Sequence, residues 1–462
     1  MVLNLKSKLK YLILLITVSP MFSVAQTYSF KECVETTLSQ NPSLDVSRYQ
    51  LQQAQSALSE AENSGMPQIT LSAMAMHSNN ALNVFGMKLN QREAAFKDFG
   101  FAEFDNTNPN VINVKPKDLN NPKAHSDFST KLEVLIPVWN GGKILSYQEQ
   151  ATAMIQAARQ GDEAIKQFLI FNVYQAYEGV HTAKAFVKVA QQGIKASKSY
   201  VKTTENLVKQ GVVVKSELLS AKVNLSQAWT SLQLAEAKVL IAKDNLRSLM
   251  FIDPNAPLKV GKRVDLTLPD KTITELMALV VSDNPAVNAT RKVALSSKKA
   301  ISAVDADNYP SFNVMVRGET SDDSFGFNSN SYTLAGIVSW NLTDFGVTSS
   351  RLDRAHALAN EKQSALVVKE NKTKLSLLKS WRMLNVAKKH AISNKLSIEQ
   401  AEEAQRLVLK RYKGGVATIT EVLASQTQLD KTRADLVNST FEINVQKAKI
   451  KLATGLMNLN EI

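Results

Sequence analysis

Apolar residues alternate with polar ones in four stretches of this chain. Phe128, Leu132, Val134, Ile136 and Val138 share one parity, and Ser129, Lys131 and Glu133 take the other. Ile69, Leu71 and Ala73 alternate with Gln68, Thr70 and Ser72. Phe312, Val314 and Val316 alternate with Asn313 and Arg317, and Tyr332, Leu334, Val338 and Trp340 with Thr333 and Ser339. Successive side chains of a strand point to opposite faces, so each stretch predicts a strand with one apolar and one polar face. The expected strands cover about 68–77, 128–138, 311–319 and 331–340.

Between these stretches the period changes. No proline lies between Pro137 and Pro254, and none follows Pro310. The chain reads as helix from about Ile144 to Gln210 and again from about Ser349 to Lys413. A run of that length is roughly 100 Å long at 1.5 Å per residue, far beyond the usual helix of about 11 residues. Gly161, Gly179 and Gly193 weaken the first run. A seven-residue repeat follows each run. Leu218, Leu225 and Leu232 form one seam, with Ala221, Ala228 and Ala235 three residues on. Val422, Leu429 and Leu436 repeat it, with Ser425, Thr432 and Ser439 as companions. A strict heptad imposes a left-handed supercoil, and alanine in the seam lets helices approach closely.

The chain is a tandem duplication. NPSLDVSRYQLQQAQSALSEAENSGMP at 41–67 aligns without a gap on NPAVNATRKVALSSKKAISAVDADNYP at 284–310. Val138-Trp139-Asn140 then corresponds to Ser339-Trp340-Asn341, and the order of landmarks is the same in both halves. The first repeat is expected over 26–257, with a helical hairpin at 144–252. The second is expected over 258–462, with a hairpin at 349–457. The first half carries 42 extra residues between its proline and its tryptophan; the segment 78–127 is therefore expected as an exposed loop.

Each hairpin turns at a repeated motif. Gly211-Val212-Val213 is followed by Glu217, and Gly415-Val416-Ala417 by Glu421. A glycine in the left-handed conformation closes a helix C-terminus; Ser216-Glu217 and Thr420-Glu421 are then expected to open the returning helices.

Composition narrows the reading. Lys6, Lys8 and Lys10, the apolar Tyr11–Val18 and Ser23-Val24-Ala25 form a secretory signal over 1–25. Beyond it no run approaches the roughly 20 apolar residues of a membrane-spanning helix. The single cysteine, Cys33, excludes an intrachain disulfide framework. The formal charge of +13 comes from lysines interleaved with glutamates along helices, which reads as solvated helix faces, so nucleic acid is not an expected partner. His77, His125, His181, His356 and His390 show no metal-ligand spacing, and Gly141-Gly142-Lys143 lacks the rest of a phosphate loop. No catalytic residue, cofactor or metal is expected.

Four strands with one apolar face leave two open edges, which lipid does not tolerate. Closure needs several chains, and both eight strands from a dimer and twelve from a trimer satisfy barrel geometry. An exported coiled-coil structural or adhesion protein is the competing reading, although it has no need of the amphipathic strands.

The duplicated strand–strand–hairpin order, Pro137-Val138-Trp139-Asn140-Gly141-Gly142 and the two tip motifs resemble the outer-membrane efflux protein family, the TolC-like channel-tunnel proteins. The resemblance implies a mainly α fold with a membrane β-barrel. Four strands per chain would enter a trimeric twelve-stranded outer-membrane barrel bounded near Trp139 and Trp340, with a long α-helical coiled-coil barrel in the periplasm. It implies a homotrimer in outer-membrane lipid, served by a periplasmic adaptor and an inner-membrane RND or ABC pump, giving drugs or proteins an exit route. It implies adaptor docking at Gly211, Val212, Val213, Gly415, Val416 and Ala417. A closed periplasmic gate in that family uses an acid, a tyrosine and an arginine. Glu217 matches the acid and Tyr412 the tyrosine, while Ala417 stands in the arginine's place. Glu421 matches one position of the family's acidic ring, and Ala424 stands at a second.

Overall fold

A computed structural model describes residues 27–459; the signal over 1–25 lies outside them. The chain runs β1 (Thr27–Tyr28), α1 (Phe30–Gln40), α2 (Pro42–Asn63), β2 (Gln68–Ser78), α3 (Ala81–Asn90), the short α4 (Lys117–Asn120) and β3 (His125–Trp139). It continues α5 (Lys143–Lys209), α6 (Lys215–Met250), β4 (Lys259–Val260), α7 (Ile273–Ser282), α8 (Pro285–Asp305), β5 (Ser311–Asp322), β6 (Ser329–Ser339), α9 (Val347–Lys413) and α10 (Ile419–Thr454). α5 and α9 are each unbroken over 67 residues. None of the described helices is long and apolar enough to cross a membrane.

Two compact units form, and each takes segments from both sequence repeats. One comprises Ser43–Ile165 with Thr274–Ser376; the other comprises the chain up to Pro42, Lys166–Ile273, and the chain from Leu377 on.

The first of these holds a four-stranded antiparallel sheet in the order β2-β3-β5-β6. Its register brings the apolar parity of all four strands onto one face. Ile69, Val134, Val316 and Leu334 form one rung across the sheet, and Leu71, Leu132, Gly318 and Tyr332 the next. The register shifts between Pro137 and Trp139, where proline has no N–H to give the ladder. Each strand pair is entered from a helix aligned in the duplication. In α8, Pro285 sits at the first turn, where a missing N–H is harmless, and the Asn284 side chain accepts from Val287 N at 3.0 Å.

The second unit is built on the Lys166–Lys209 part of α5, α6, the later part of α9, and α10. Its main core gathers Phe30, Val34, Val173, Tyr174, Tyr177, Val180, Leu246, Met250, Leu266 and Ala448. Phe30 sets its ring edge-on to Tyr174 and Tyr177 at 5.7 and 5.8 Å. The strap between the two repeats crosses this core. Tyr177 Oη donates to Lys262 O at 2.9 Å, Gly261 N donates to Tyr28 O at 2.8 Å, and β1 pairs with β4 in parallel. Beneath the strap, Glu178 is fully buried. Arg263 donates to it at 2.7 Å through Nε, and Asn444 Nδ2 donates at 2.9 Å.

Of the three glycines inside α5, Gly161 and Gly179 have open space where a Cβ would lie, and only Gly193 is hemmed in. At Gly193 the Asp430 carboxylate of α10 sits 3.1 Å from where a Cβ would lie, so this position has a packing reason to lack a side chain.

Candidate functional site

The two hairpin tips close by one and the same backbone device. Val212 N donates to Leu207 O at 2.9 Å and Gly211 N to Val208 O at 3.0 Å. Val416 N donates to Arg411 O at 3.1 Å and Gly415 N to Tyr412 O at 3.0 Å. These paired bonds satisfy the last carbonyls of α5 and α9, and they require a left-handed residue. Gly211 takes φ 71° and Gly415 takes φ 75°.

The returning helices start differently from each other. α10 is capped by Thr418, whose hydroxyl accepts from Glu421 N at 3.3 Å while Glu421 Oε1 accepts from Thr418 N at 3.2 Å. α6 has Val214 at its cap position, without a side-chain bond. The expected openings at Ser216 and Thr420 therefore move two residues upstream. For α10 the reason is legible: Thr418-Ile419-Thr420-Glu421 is a capping box.

Tip residues divide by exposure. Val212 and Val416 are exposed, whereas Val213 and Ala417 pack inward on a small core of Tyr200, Leu207, Ala221, Tyr412, Ile419 and Val422. Tyr412 is completely buried, and its hydroxyl bonds Thr204 Oγ1 of α5 at 2.9 Å. Burial raises the Tyr412 phenol above its ordinary range, and the neighbouring Glu217 carboxylate pushes the same way. Glu217 Oε2 is buried next to this phenol, and no other described residue hydrogen-bonds that oxygen. Tyr412 and Glu217 are thus brought together. Glu421 stands apart from them, engaged with Thr418 and 3.9 Å from Arg411 Nη1.

Behind the tip lies a polar chain that the sequence reading did not find. Tyr200 Oη donates to Gln426 Oε1 at 2.5 Å and accepts from Gln405 Nε2. Gln426 Nε2 donates to Asp430 Oδ1 at 2.9 Å, Arg433 Nη1 lies 3.8 Å from the same oxygen, and Arg433 Nη2 bonds Glu402 at 2.7 Å. Burial pushes the Tyr200 phenol up to about 12 and raises the Asp430 carboxyl. The seam residues Ala221, Leu232 and Ala235 are buried, while Leu218, Leu225 and Ala228 are half-buried. Other apolar residues of α6, among them Leu219, Val223, Leu234 and Ile241, are exposed in the single chain.

The sheet is the second candidate. Its polar face carries two cross-strand ion pairs between β3 and β5. Arg317 Nη2 meets Glu133 Oε2 at 2.6 Å, and Lys131 Nζ meets Glu319 Oε1 at 3.3 Å. Its apolar face exposes Ile69, Leu71, Leu132, Val316, Leu334 and Val338. Trp139 and Trp340 are both exposed at the helix-proximal end of their strands, and Trp340 Nε1 donates to Asn308 O at 3.2 Å. Among the described residues no group of three or more His, Cys, Asp or Glu is disposed to hold a metal ion.

A duplicated chain of long hairpins and one two-faced sheet defines the architecture of the outer-membrane channel-tunnel proteins. The family model described as "Outer membrane efflux protein" matches residues 33–250 and 276–456, and the chain belongs to that family. It is 19% identical over 315 residues to the outer membrane efflux protein BepC of Brucella suis, covering 68% of each chain. Several solved structures share the fold, three of which follow. The CusC channel matches with a TM-score of 0.78 at 15% identity, covering 94% of this chain and 96% of that one. The outer-membrane channel OprN matches at 0.76 and 17%, covering 92% and 89%. VceC of Vibrio cholerae matches at 0.76 and 16%, covering 92% and 96%. The chain is therefore an outer-membrane efflux family member with a largely helical, TolC-like fold.

Proposed function

We propose that the protein is the exit duct of a tripartite efflux or type I secretion system. Three copies would join their four-stranded sheets into a twelve-stranded barrel in outer-membrane lipid, with the helices in the periplasm. Transport through it is passive in this reading: the channel is asked for no catalytic step, and energy comes from an RND or ABC pump reached through a periplasmic adaptor.

The observation that carries this reading is the two-faced sheet ending on β2 and β6. An unpaired strand edge in lipid leaves its outward-facing N–H and C=O groups without partners, at several kcal/mol per group. Pairing β2 of one copy with β6 of the next removes every edge. The apolar rungs then meet lipid, and the Glu133–Arg317 and Lys131–Glu319 pairs line water.

The exposed Val212 and Val416, on their glycine turns, suit adaptor docking. The Tyr412–Thr204 bond, with Glu217 beside it, suits a latch between the hairpins, and Glu421 suits an acidic ring at the entrance. Detergent extraction of outer membranes is expected to give a heat-modifiable trimer that conducts ions in planar bilayers. Recovery of a soluble, non-conducting monomer would overturn the reading in favour of an exported coiled-coil protein.

A further inference from the structure

The insertion between β2 and β3 is folded, and it sits on one face of the sheet. Met74, Ser129, Ser321 and Ser329 form a rung of the polar parity, and Asp127 follows two residues away on the same face. Ser129, Ser321, Ser329 and Asp127 are only 3–6% exposed. What covers this end is the C-terminal end of α3. Gln91 Nε2 donates to Asp127 Oδ1 at 3.0 Å, and Ser329 Oγ donates to Gln91 O at 2.6 Å. Ser321 Oγ also bonds Asp127. Arg92, held at φ 60°, reaches across to Asn330 O on β6 at 2.6 Å. On the opposite face at the same end, Ala75 and Asn330 remain exposed.

Beyond α3 the insertion has its own order. Lys88 pairs with Asp98 at 2.6 Å, Glu103 accepts from Lys117 N and Asp118 N at 2.9 Å each, and Phe85 sets edge-on to Phe99 at 5.0 Å. Among its many exposed polar residues stand four large apolar side chains, Phe96, Phe101, Phe104 and Ile112, which are exposed as well. Exposed aromatics on a segment attached to a polar face require an explanation that neither lipid contact nor core packing supplies.

We propose that residues 81–124 fold into the lumen and form an aromatic constriction at the outer mouth, which favours amphiphilic or apolar solutes over small hydrated ions. The proposal rests on the barrel reading above, because only closure turns the polar face into a lumen. The insertion leaves the sheet at the end opposite the helix junctions at Gln68 and Trp139, which is the outer end of such a barrel. Three copies bring three sets of phenylalanines together around one axis. Apolar constrictions oppose ion passage by dewetting, while solutes with apolar surface cross them.

Thiol labelling tests this directly, since Cys33 is buried, with its thiol pushed up to about 12, and gives no background. A cysteine is placed on α3 by Leu82→Cys and on the apolar face by Ala75→Cys. Both are reacted with a bulky charged methanethiosulfonate reagent, with modification confirmed by mass. Labelled Leu82→Cys trimers should lose conductance by about twofold or more, as expected for added bulk in a narrow path, while labelled Ala75→Cys trimers conduct as before. Unchanged conductance of labelled Leu82→Cys overturns a lumenal insertion. The triple variant Phe96→Ser, Phe101→Ser, Phe104→Ser should raise small-ion conductance, and no rise overturns the aromatic constriction. Trimers that never conduct, labelled or not, would overturn the barrel reading itself.

Discussion

Val212 Cγ1 lies 3.2 Å from the position a Cβ on Gly415 would occupy, so the two copies of the turn pack against each other within one chain. At Gly211 an added Cβ meets nothing. Gly211→Ala should therefore cost only the left-handed strain, about 1 kcal/mol. Gly415→Ala should cost more, and Val212→Ala should return part of the difference. Thermal melts of the four combinations form a double-mutant cycle that reads the contact. If the tips dock an adaptor as proposed, Gly415→Leu should abolish efflux, scored as drug susceptibility, while the protein is still recovered as a trimer from the membrane; unchanged susceptibility would count against tip docking.

Glu421 has a structural task as well as its proposed place in the ring. Glu421→Ala removes the carboxylate from the Thr418 capping box and should cost about 1 kcal/mol of helix stability. Glu421→Gln keeps a capping-box acceptor while removing the charge. If Glu421 narrows the entrance electrostatically, the glutamine variant changes cation block in planar bilayers without lowering the melting temperature. Identical block in wild type and both variants would leave only the cap.

The Asp430 carboxyl is raised by burial, so the folded state holds its proton more firmly than the unfolded chain does. The stability this group contributes is therefore present below its unfolded value and is lost as pH rises through the folded one. At neutral pH Asp430 is a net burden, and Asp430→Asn should raise the melting temperature. The advantage should shrink as pH falls towards 3.8, the ordinary value of the group. Circular dichroism melts across that range would check it.

Arg263 is the charged partner of the fully buried Glu178. Arg263→Ala leaves that carboxylate uncompensated and should destabilise the strap by about 3 kcal/mol. The double variant Glu178→Gln with Arg263→Ala should recover much of the loss, because an amide needs no counter-charge. Limited proteolysis near residues 258–266 gives the readout.

The strand faces were legible because parity is local: Ile69, Val134, Val316 and Leu334 each announce their side, and the register merely assembles them. The long helices were legible from missing prolines and the glycine turns from their repetition. The polar chain through Tyr200, Gln405, Gln426 and Asp430 was not. A heptad assigns a residue to a face but does not name the helix it will meet, and Tyr200 and Gln426 are 226 residues apart. The insertion read as an exposed loop because residues 105–124 are rich in turn formers. Its seating depends on Gln91 reaching Asp127 and on Ser329 reaching Gln91, pairings without a local signature.

The two turns share a backbone and differ at the next helix start, Thr418 with its box against Val214 with none. At the α6 start Glu217 N is held only by the backbone, through Val214 O at 3.0 Å, whereas α10 adds the two side-chain bonds of its box, so the α6 start frays more readily. Amide hydrogens at 215–217 should accordingly exchange with solvent faster than those at 419–421. Mechanically, the duplicated tips are then a firm one and a yielding one, and a load applied equally to both would open the α6 turn before the α10 turn.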